Sequence, residues 1–312
     1  MASEVNVSDL DLLRDLAEFR IMTQGQIAAR HFGTYNGARR RIEKLRDEGL
    51  IERSAGKLLQ VFRGGQEIIY SVSTKGVDRL REEGMVSSLI PPEKITANSL
   101  GSATNHQLLL GWARIHLDQI PVVRPDLSVR FIASNSPFAL NGDQATPLVY
   151  ESAPPENTAA KATAFTPDGV FTIASSKQGK SLLFFLEIDM GTEPLSRNQV
   201  GGSQVRQKIV NYRDYFLRGR YKRYEEIFRA EFTGFRLLFL ADDLGRMASL
   251  CELVRAMPPA NFIWLTDRTR MFEHGLAEAI WAAGGRQDLP ERSILGDSLS
   301  RPSPLDGRKL RA

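Results

Sequence analysis

The chain of 312 residues is long enough for two domains with separate cores, and its apolar (42%) and charged (25%) fractions, with a net charge of +4, are those of a soluble globular protein. No apolar run approaches the roughly 20 residues that a membrane span requires. The acidic start of the chain lacks a signal-peptide core, so we expect a cytoplasmic protein with no membrane partner. Cys251 is the single cysteine, which excludes an internal disulfide, and no His/Cys spacing matches a zinc site.

The first fifty residues carry the periodicity of three helices. Apolar side chains at helical spacing mark their inner faces: Leu12, Leu13, Leu16, Phe19, Ile27, Ala28, Phe32, Ala38, Ile42 and Leu45. Thr23 and Gln26 have the spacing of a capping box, which predicts the start of the second helix. Gly33 ends that helix, and Thr34 can cap the third.

Two strand-like runs follow at 57–63 and 67–72, joined by Gly64–Gly65, which is a hairpin turn signal, and a fourth helix is predicted at 74–83. Three helices, a hairpin and a helix, with a basic third helix, form the pattern of a winged helix-turn-helix. In that fold the third helix enters the major groove of DNA and the hairpin contacts the backbone. The sequence of residues 41–53 also resembles winged-helix sequences.

The predicted DNA contacts lie on the outer face of the third helix and on the hairpin. They are Tyr35, Asn36, Arg39, Arg40, Lys44, Lys57 and Arg63. Two alternatives stay open at this point: the basic residues form a solvated helix face, or the winged helix binds protein.

A second basic group alternates with aromatic residues. Its members are Arg213, Arg218, Arg220, Lys222 and Arg223, interleaved with Tyr212, Tyr215, Tyr221 and Tyr224. Such a pattern suits phosphate backbones and stacked bases. The alternative is a solvated helix face, which either basic cluster taken alone favours.

A proline-containing linker at 87–101 precedes a second set of elements. Periodicity predicts, in chain order, a helix at 104–120, a strand at 122–132, an irregular excursion at 133–164, strands at 169–173 and 181–189, a helix at 201–217, a strand at 235–241, a helix at 244–257, a strand at 261–266 and a helix at 275–283. This order predicts an α/β sandwich with a mixed sheet. After residue 284 we expect a loose tail, because charge, proline and serine dominate there.

Three carboxylates are predicted to meet at one end of that sheet. Asp168 lies where a turn becomes a strand, and Glu187 and Asp189 point to one face of the next strand because side chains alternate. Carboxylates beside an apolar sheet are costly unless they are paired or bound to a cation such as Mg²⁺. The simpler alternative is that the strand ends at Glu187 and enters water.

The acidic hairpin resembles the PD-(D/E)XK nuclease superfamily, in which two such acids hold a divalent ion and a lysine acts on the attacking water. More narrowly, roughly residues 10–270 resemble the bacterial replication-relaxation family. The matching segments are 49–53, the Asn105–His106 helix, 167–169, 185–193 and 208–215. The resemblance implies a winged helix joined to a nuclease-like domain, a link to plasmid replication and DNA relaxation or mobilisation, and Mg²⁺ or Mn²⁺ where the site is active.

One position departs from the superfamily pattern, because Asp189 stands where a nuclease carries lysine. This reversal of charge removes a cation that would stabilise a developing oxyanion. Lys208, on the following helix, is the candidate replacement; alternatively Asp168, Glu187 and Asp189 hold metal without a lysine. The third possibility is a degenerate site that binds DNA or a partner without cutting.

Two further polar residues match the family pattern, but no catalytic role is predicted for either of them. His106 either lines the site or packs with one hydrogen bond satisfied, and Glu193 caps a loop.

The predicted organisation is a winged helix-turn-helix at 1–86, a linker at 87–101, a nuclease-like domain at 102–284 and a tail at 285–312. Candidate catalytic residues are Asp168, Glu187 and Lys208, and candidate metal ligands are Asp168, Glu187 and Asp189. The predicted function is that of a DNA-binding accessory protein of plasmid or mobile-element replication, relaxation or mobilisation. The alternatives are a metal-dependent endonuclease and, more weakly, a transcription regulator. Candidate partners are double-stranded DNA, a relaxase or replication initiator, and a second copy of the chain.

Overall fold

The computed structural model describes residues 8–53, 59–61, 65–97, 103–141, 146–153, 163–192, 195 and 204–296. Their contacts divide the chain into two compact units. Of the described residues, unit 1 contains those up to Ile115 and Asn135–Leu148, and unit 2 contains His116–Ser134 and those from Val149 to Gly296. The functional domains at 1–86 and 102–284 stay a prediction. No helix in these described ranges is long and apolar enough to cross a bilayer.

Unit 1 is built of helices and short strands. The helices are α1 (Asp9–Phe19), α2 (Gln24–Ile27, continued by a π-helical turn, Ala28–Phe32), α3 (Tyr35–Asp47), α4 (Thr74–Glu82) and α5 (Thr104–Asp118), whose last residues belong to unit 2. The strands are β1 (Met22–Thr23), β2 (Ile51–Arg53), β3 (Leu59–Val61), β4 (Gly65–Glu67) and β5 (Ile69–Val72). An antiparallel sheet has the order β1–β5–β2, and β3 pairs with β4 as a hairpin.

Local sequence explains where these helices begin. The predicted capping box is present, since the Thr23 hydroxyl accepts from the Gln26 N–H and the Gln26 side chain accepts from the Thr23 N–H. Thr34 caps α3 by accepting from the N–H of Gly37. The predicted inner faces of α1 and α3 are buried, whereas Phe32 is only half-buried.

The strands of unit 1 differ from the prediction. The strand predicted at 67–72 is divided, because residue 67 is the last residue of β4 and residues 69–72 form β5. β5 pairs with β1 and β2, which were not predicted. Two- and three-residue strands carry too little period-two alternation to be recognised from sequence. Lys57, Arg63 and Gly64 lie outside the described residues.

The segment that we predicted as a linker is packed where it is described. Ile90 and Ile95 are buried, and the buried Arg20 guanidinium donates to the carbonyl oxygens of Ile95 (3.1 Å) and Thr96 (2.8 Å). A side chain 75 residues earlier in the chain therefore orders this segment, which local composition does not reveal.

Unit 2 is built on a six-stranded sheet with the order β15–β14–β13–β12–β11–β6. Its strands are β6 (Leu127–Ala133), β11 (Gly169–Ser175), β12 (Lys180–Asp189), β13 (Phe235–Ala241), β14 (Ile263–Asp267) and β15 (Ala282–Ala283). β12, β13 and β14 are parallel, and the other pairs are antiparallel. The predicted α/β class with a mixed sheet is confirmed.

Helices α7 (Gln204–Leu217) and α9 (Leu244–Arg255) connect the parallel strands. Their apolar side chains pack with one face of the sheet in a core that includes Phe185, Tyr212 and Leu250. Two shorter helices, α8 (Arg223–Phe228) and α10 (Arg268–His274), complete this part of the unit.

Several predicted boundaries in the second half were wrong. The strand placed at 122–132 begins at Leu127, because Pro121 opens a short helix, α6 (Ile120–Val123), for which its fixed φ is suited. The excursion at 133–164 contains short paired strands, β7 (Leu140–Asn141) with β8 (Thr146–Pro147) and β9 (Glu151–Ala153) with β10 (Thr163–Phe165).

The last predicted helix, at 275–283, is also wrong. The helix is α10, which begins at the cap Asp267, whose carboxylate accepts from the N–H groups of Thr269 and Arg270, and ends at Gly275 with φ +96°. Residues 285–296 are not a loose tail, because Ile294 and Leu295 are buried.

Candidate functional site

The register of the β11–β12 hairpin brings Asp168 beside Glu187. Gly169 pairs with Leu186, so the next position on each strand places the two carboxylates side by side at the end of the ladder. The Asp168 Oδ2 accepts from the N–H of Ile188 at 2.7 Å. Gly169 is required here because a Cβ would lie 2.3 Å from the Phe131 ring. The predicted meeting of Asp168 and Glu187 is therefore a consequence of strand pairing.

Helix α7 supplies both partners of the Glu187 carboxylate. The Lys208 ammonium lies 3.1 Å from Oε2, and the Tyr212 hydroxyl donates to Oε1 at 2.6 Å. Lys208 and Tyr212 are four residues apart, and this spacing puts them on one helix face. Lys208 therefore contacts Glu187, and its role as the replacement lysine stays a prediction. Sequence reasoning missed Tyr212 as a partner, although its spacing from Lys208 was a usable signal.

Burial and a neighbouring charge make Glu187 an unusual acid. The residue is only 2% exposed, and burial together with the Asp168 carboxylate raises the pKa of Glu187 to about 7. Lys208 and Tyr212 oppose this rise because both stabilise the ionised form. Glu187 therefore changes protonation near neutral pH, and a cation bound beside it would favour the carboxylate.

Asp189 is engaged by a different helix. Its Oδ1 accepts from the Gly191 N–H (2.8 Å) and from Arg246 Nε (2.6 Å), and its Oδ2 accepts from Arg246 Nη2 (3.0 Å). This two-point contact with α9 satisfies the carboxylate that we expected to join Asp168 and Glu187. In the part of the chain that the structure describes, no group of three or more His, Cys, Asp or Glu side chains is placed to hold a metal ion. Nothing in the sequence indicated Arg246.

Two carboxylates still fit a divalent ion. Mg²⁺ is commonly held by one or two carboxylates, with water and substrate phosphate completing its shell. Asp168 is half-buried, and Glu187 lies beside it with an ionised form that a cation would stabilise. The donor set therefore fits one ion on Asp168 and Glu187, without Asp189.

The outer face of α3 presents several of the predicted DNA contacts to solvent. Asn36, Arg39 and Arg40 are exposed. The Arg39 side chain is 62% exposed to solvent, although its Nε lies 3.9 Å from the Glu43 carboxylate. Tyr35 is half-buried.

Lys44 is exposed but bound within unit 1, since its ammonium lies 2.7 Å from the Asp9 carboxylate. Arg41 shares that carboxylate at 2.5 Å. Arg39 and Arg40 are therefore the better-placed phosphate contacts on this helix, while Lys57 and Arg63 lie outside the described residues.

The second basic group is not a stacking surface. Its tyrosines, Tyr212, Tyr215, Tyr221 and Tyr224, are all buried, so they cannot stack on bases. Arg223 and the Tyr224 hydroxyl both donate to the buried Glu151, at 2.5 and 2.6 Å. This part of the pattern belongs to the core of unit 2.

The remaining predicted residues are less informative. His106 lies in the first turn of α5 and is half-buried, and Glu193 falls outside the described residues. Cys251 is buried in α9 among apolar side chains.

Comparison with known protein families relates the chain to one of them by sequence. The sequence profile of the replication-relaxation family matches residues 13–230, which include α3, Asp168, Glu187 and Lys208. Searches of curated proteins and of solved structures found no match.

Proposed function

The chain belongs to the replication-relaxation family, whose membership supports a role in replication or relaxation of mobile elements. From this premise we propose that it is a DNA-binding accessory protein of plasmid or mobile-element replication, relaxation or mobilisation. A relaxase or replication initiator is the protein partner that this role calls for, and a second copy of the chain is a further candidate.

The exposed basic face of α3 carries the proposal. Ala38, Ile42 and Leu45 anchor the opposite face in the core, so Arg39 and Arg40 are held outward on a rigid helix. Outward arginines on such a helix provide contacts to phosphates and to base edges in the major groove.

The test is a mobility-shift titration of duplex DNA with the full chain. Replacing Arg39 and Arg40 by alanine should weaken binding about tenfold or more and lower the slope of log affinity against log salt by about 2, because fewer counterions are released. The matched control is Arg79→Ala with Arg286→Ala, which removes the same charge from exposed positions outside α3. Equal affinities of the two double variants would contradict the proposed DNA face.

The contact between Lys208 and Glu187 supports a second candidate, a metal-dependent endonuclease. In that function Asp168 and Glu187 would hold Mg²⁺ or Mn²⁺, and the bound ion would act as a Lewis acid on a phosphate. The Lys208 side chain is 34% exposed, so its ammonium can reach a phosphate while its stem stays packed.

Cleavage of supercoiled, linear and single-stranded DNA with Mg²⁺ or Mn²⁺ separates the two functions. We expect little or no cutting by the purified protein. Robust cutting that falls about a hundredfold or more in both Glu187→Gln and Lys208→Ala would instead assign the endonuclease function. The Arg39 and Arg40 variant controls for loss of DNA binding in the same assay.

A further inference from the structure

Tyr212 is one of the largest fully buried side chains of unit 2. It is 0% exposed, and its ring packs edge-on against Phe165 at 4.9 Å and Phe185 at 5.8 Å between ring centroids. The ring is therefore held by apolar contacts that do not involve the acidic site. Its one polar atom donates to the Glu187 Oε1 at 2.6 Å, the length of a strong hydrogen bond to a carboxylate.

A glutamate side chain has three rotatable bonds, so it must be held still to serve as a ligand. Of the two groups on Glu187, Lys208 is long, flexible and partly exposed, whereas Tyr212 is rigid and fully buried. We infer that Tyr212 is a positioning residue of this site, whose hydroxyl holds the Glu187 carboxylate beside Asp168 and leaves Oε2 to Lys208 and a divalent ion. This inference rests on the proposed ion site and adds to it the residue that preorganises the site.

The same unit contains a matched comparison. Tyr224 is also 0% exposed, and its hydroxyl donates to another buried glutamate, Glu151, at the same 2.6 Å. Removing either hydroxyl deletes one hydrogen bond from a buried glutamate, so the two losses of stability should be similar. Only removal of the Tyr212 hydroxyl should also weaken the binding of a divalent ion to Asp168 and Glu187.

The experiment is a calorimetric titration of Mn²⁺ into the full chain at one fixed pH, for wild type, Tyr212→Phe and Tyr224→Phe. Loss of a hydrogen bond that orients a metal ligand typically weakens metal binding by roughly ten- to a hundredfold. We expect a loss of this size in Tyr212→Phe and unchanged affinity in Tyr224→Phe, while thermal unfolding shows both variants folded and similarly destabilised.

The outcomes separate the inference from the proposed site. Equal Mn²⁺ affinity of wild type and Tyr212→Phe overturns the positioning role and leaves the ion site intact. An equal loss in Tyr224→Phe also overturns it, since general loosening would then explain the effect. No binding by wild type overturns the ion site and the inference together.

A second variant covers the case in which Tyr212→Phe does not fold. Phe165→Leu keeps the Tyr212 hydroxyl but removes part of the packing that fixes its ring. We expect a smaller loss of Mn²⁺ affinity, of about threefold, because the hydroxyl is then less well held. Unchanged affinity in this variant contradicts the inference.

Discussion

Unit 2 contains two buried glutamates with nearly the same bonding and different chemistry. Glu187 and Glu151 are 2% and 3% exposed, and each accepts a tyrosine hydroxyl at 2.6 Å. Each also contacts a cation, Lys208 for Glu187 and Arg223 for Glu151.

The difference lies in the surrounding charge. Glu187 has a second carboxylate, Asp168, beside it, and its cation stands 3.1 Å away on a flexible stem. Glu151 is held at 2.5 Å by Arg223, which also donates to the carbonyl of Tyr150. We therefore expect Glu151 to stabilise the fold, and Glu187, which lies beside a second carboxylate, to be the glutamate that binds a cation.

The largest expected effect on stability comes from replacing Arg223 and Lys208, the cationic partners of the two glutamates, one at a time. Arg223→Met should destabilise the protein by about 2 to 3 kcal/mol, because it leaves Glu151 charged and buried without its partner. Lys208→Met should cost clearly less, since the pKa of Glu187 is already raised to about 7 and this residue can take up a proton instead. Urea unfolding at pH 6 measures both. A larger loss in Lys208→Met would reverse the assignment of the two sites.

The next expected effect is the pH dependence of stability that Glu187 contributes. The pKa of Glu187 is raised from 4.5 to about 7 by burial and Asp168, so the folded state holds a proton that the unfolded state releases between these values. Stability from this group is therefore complete below pH 4.5 and is lost as the pH rises to about 7.

Glu187→Gln should remove that loss, which is on the order of 2 kcal/mol. Urea unfolding of wild type and Glu187→Gln from pH 4.5 to 7.5 in EDTA gives the comparison. If the free energy of unfolding changed with pH in the same way in wild type and in Glu187→Gln, the pKa of Glu187 would not be raised by folding.

Ion binding should produce the smallest effect. If Asp168 and Glu187 hold a divalent ion, millimolar Mg²⁺ or Mn²⁺ should stabilise wild type by about 1 kcal/mol, or a few degrees in melting temperature. Asp168→Asn should abolish this shift and raise the stability of the metal-free protein by relieving like-charge repulsion. Glu151→Gln should keep the shift. An identical shift in wild type and Asp168→Asn would make the acids structural.

The proposed site was predictable where it depends on local rules. Alternation along β12 and antiparallel pairing of two neighbouring strands place Asp168 beside Glu187, and helical spacing makes Lys208 available four residues before Tyr212. Local rules did not reveal the partner of Asp189, which we expected to join Asp168 and Glu187 as a metal ligand. Its carboxylate is bound by Arg246, 57 positions further along the chain.

The sequence by itself determined the helix caps, the buried faces of α1 and α3, and the mixed α/β class, because these follow from interactions within a few residues and from hydrophobic periodicity. Only the tertiary structure decided which cation joins which carboxylate and which tyrosines are buried. Arg223 reaches Glu151 from 72 positions away. The properties of a charged group depend on its burial and on the groups within a few ångströms, and folding brings these from distant parts of the chain.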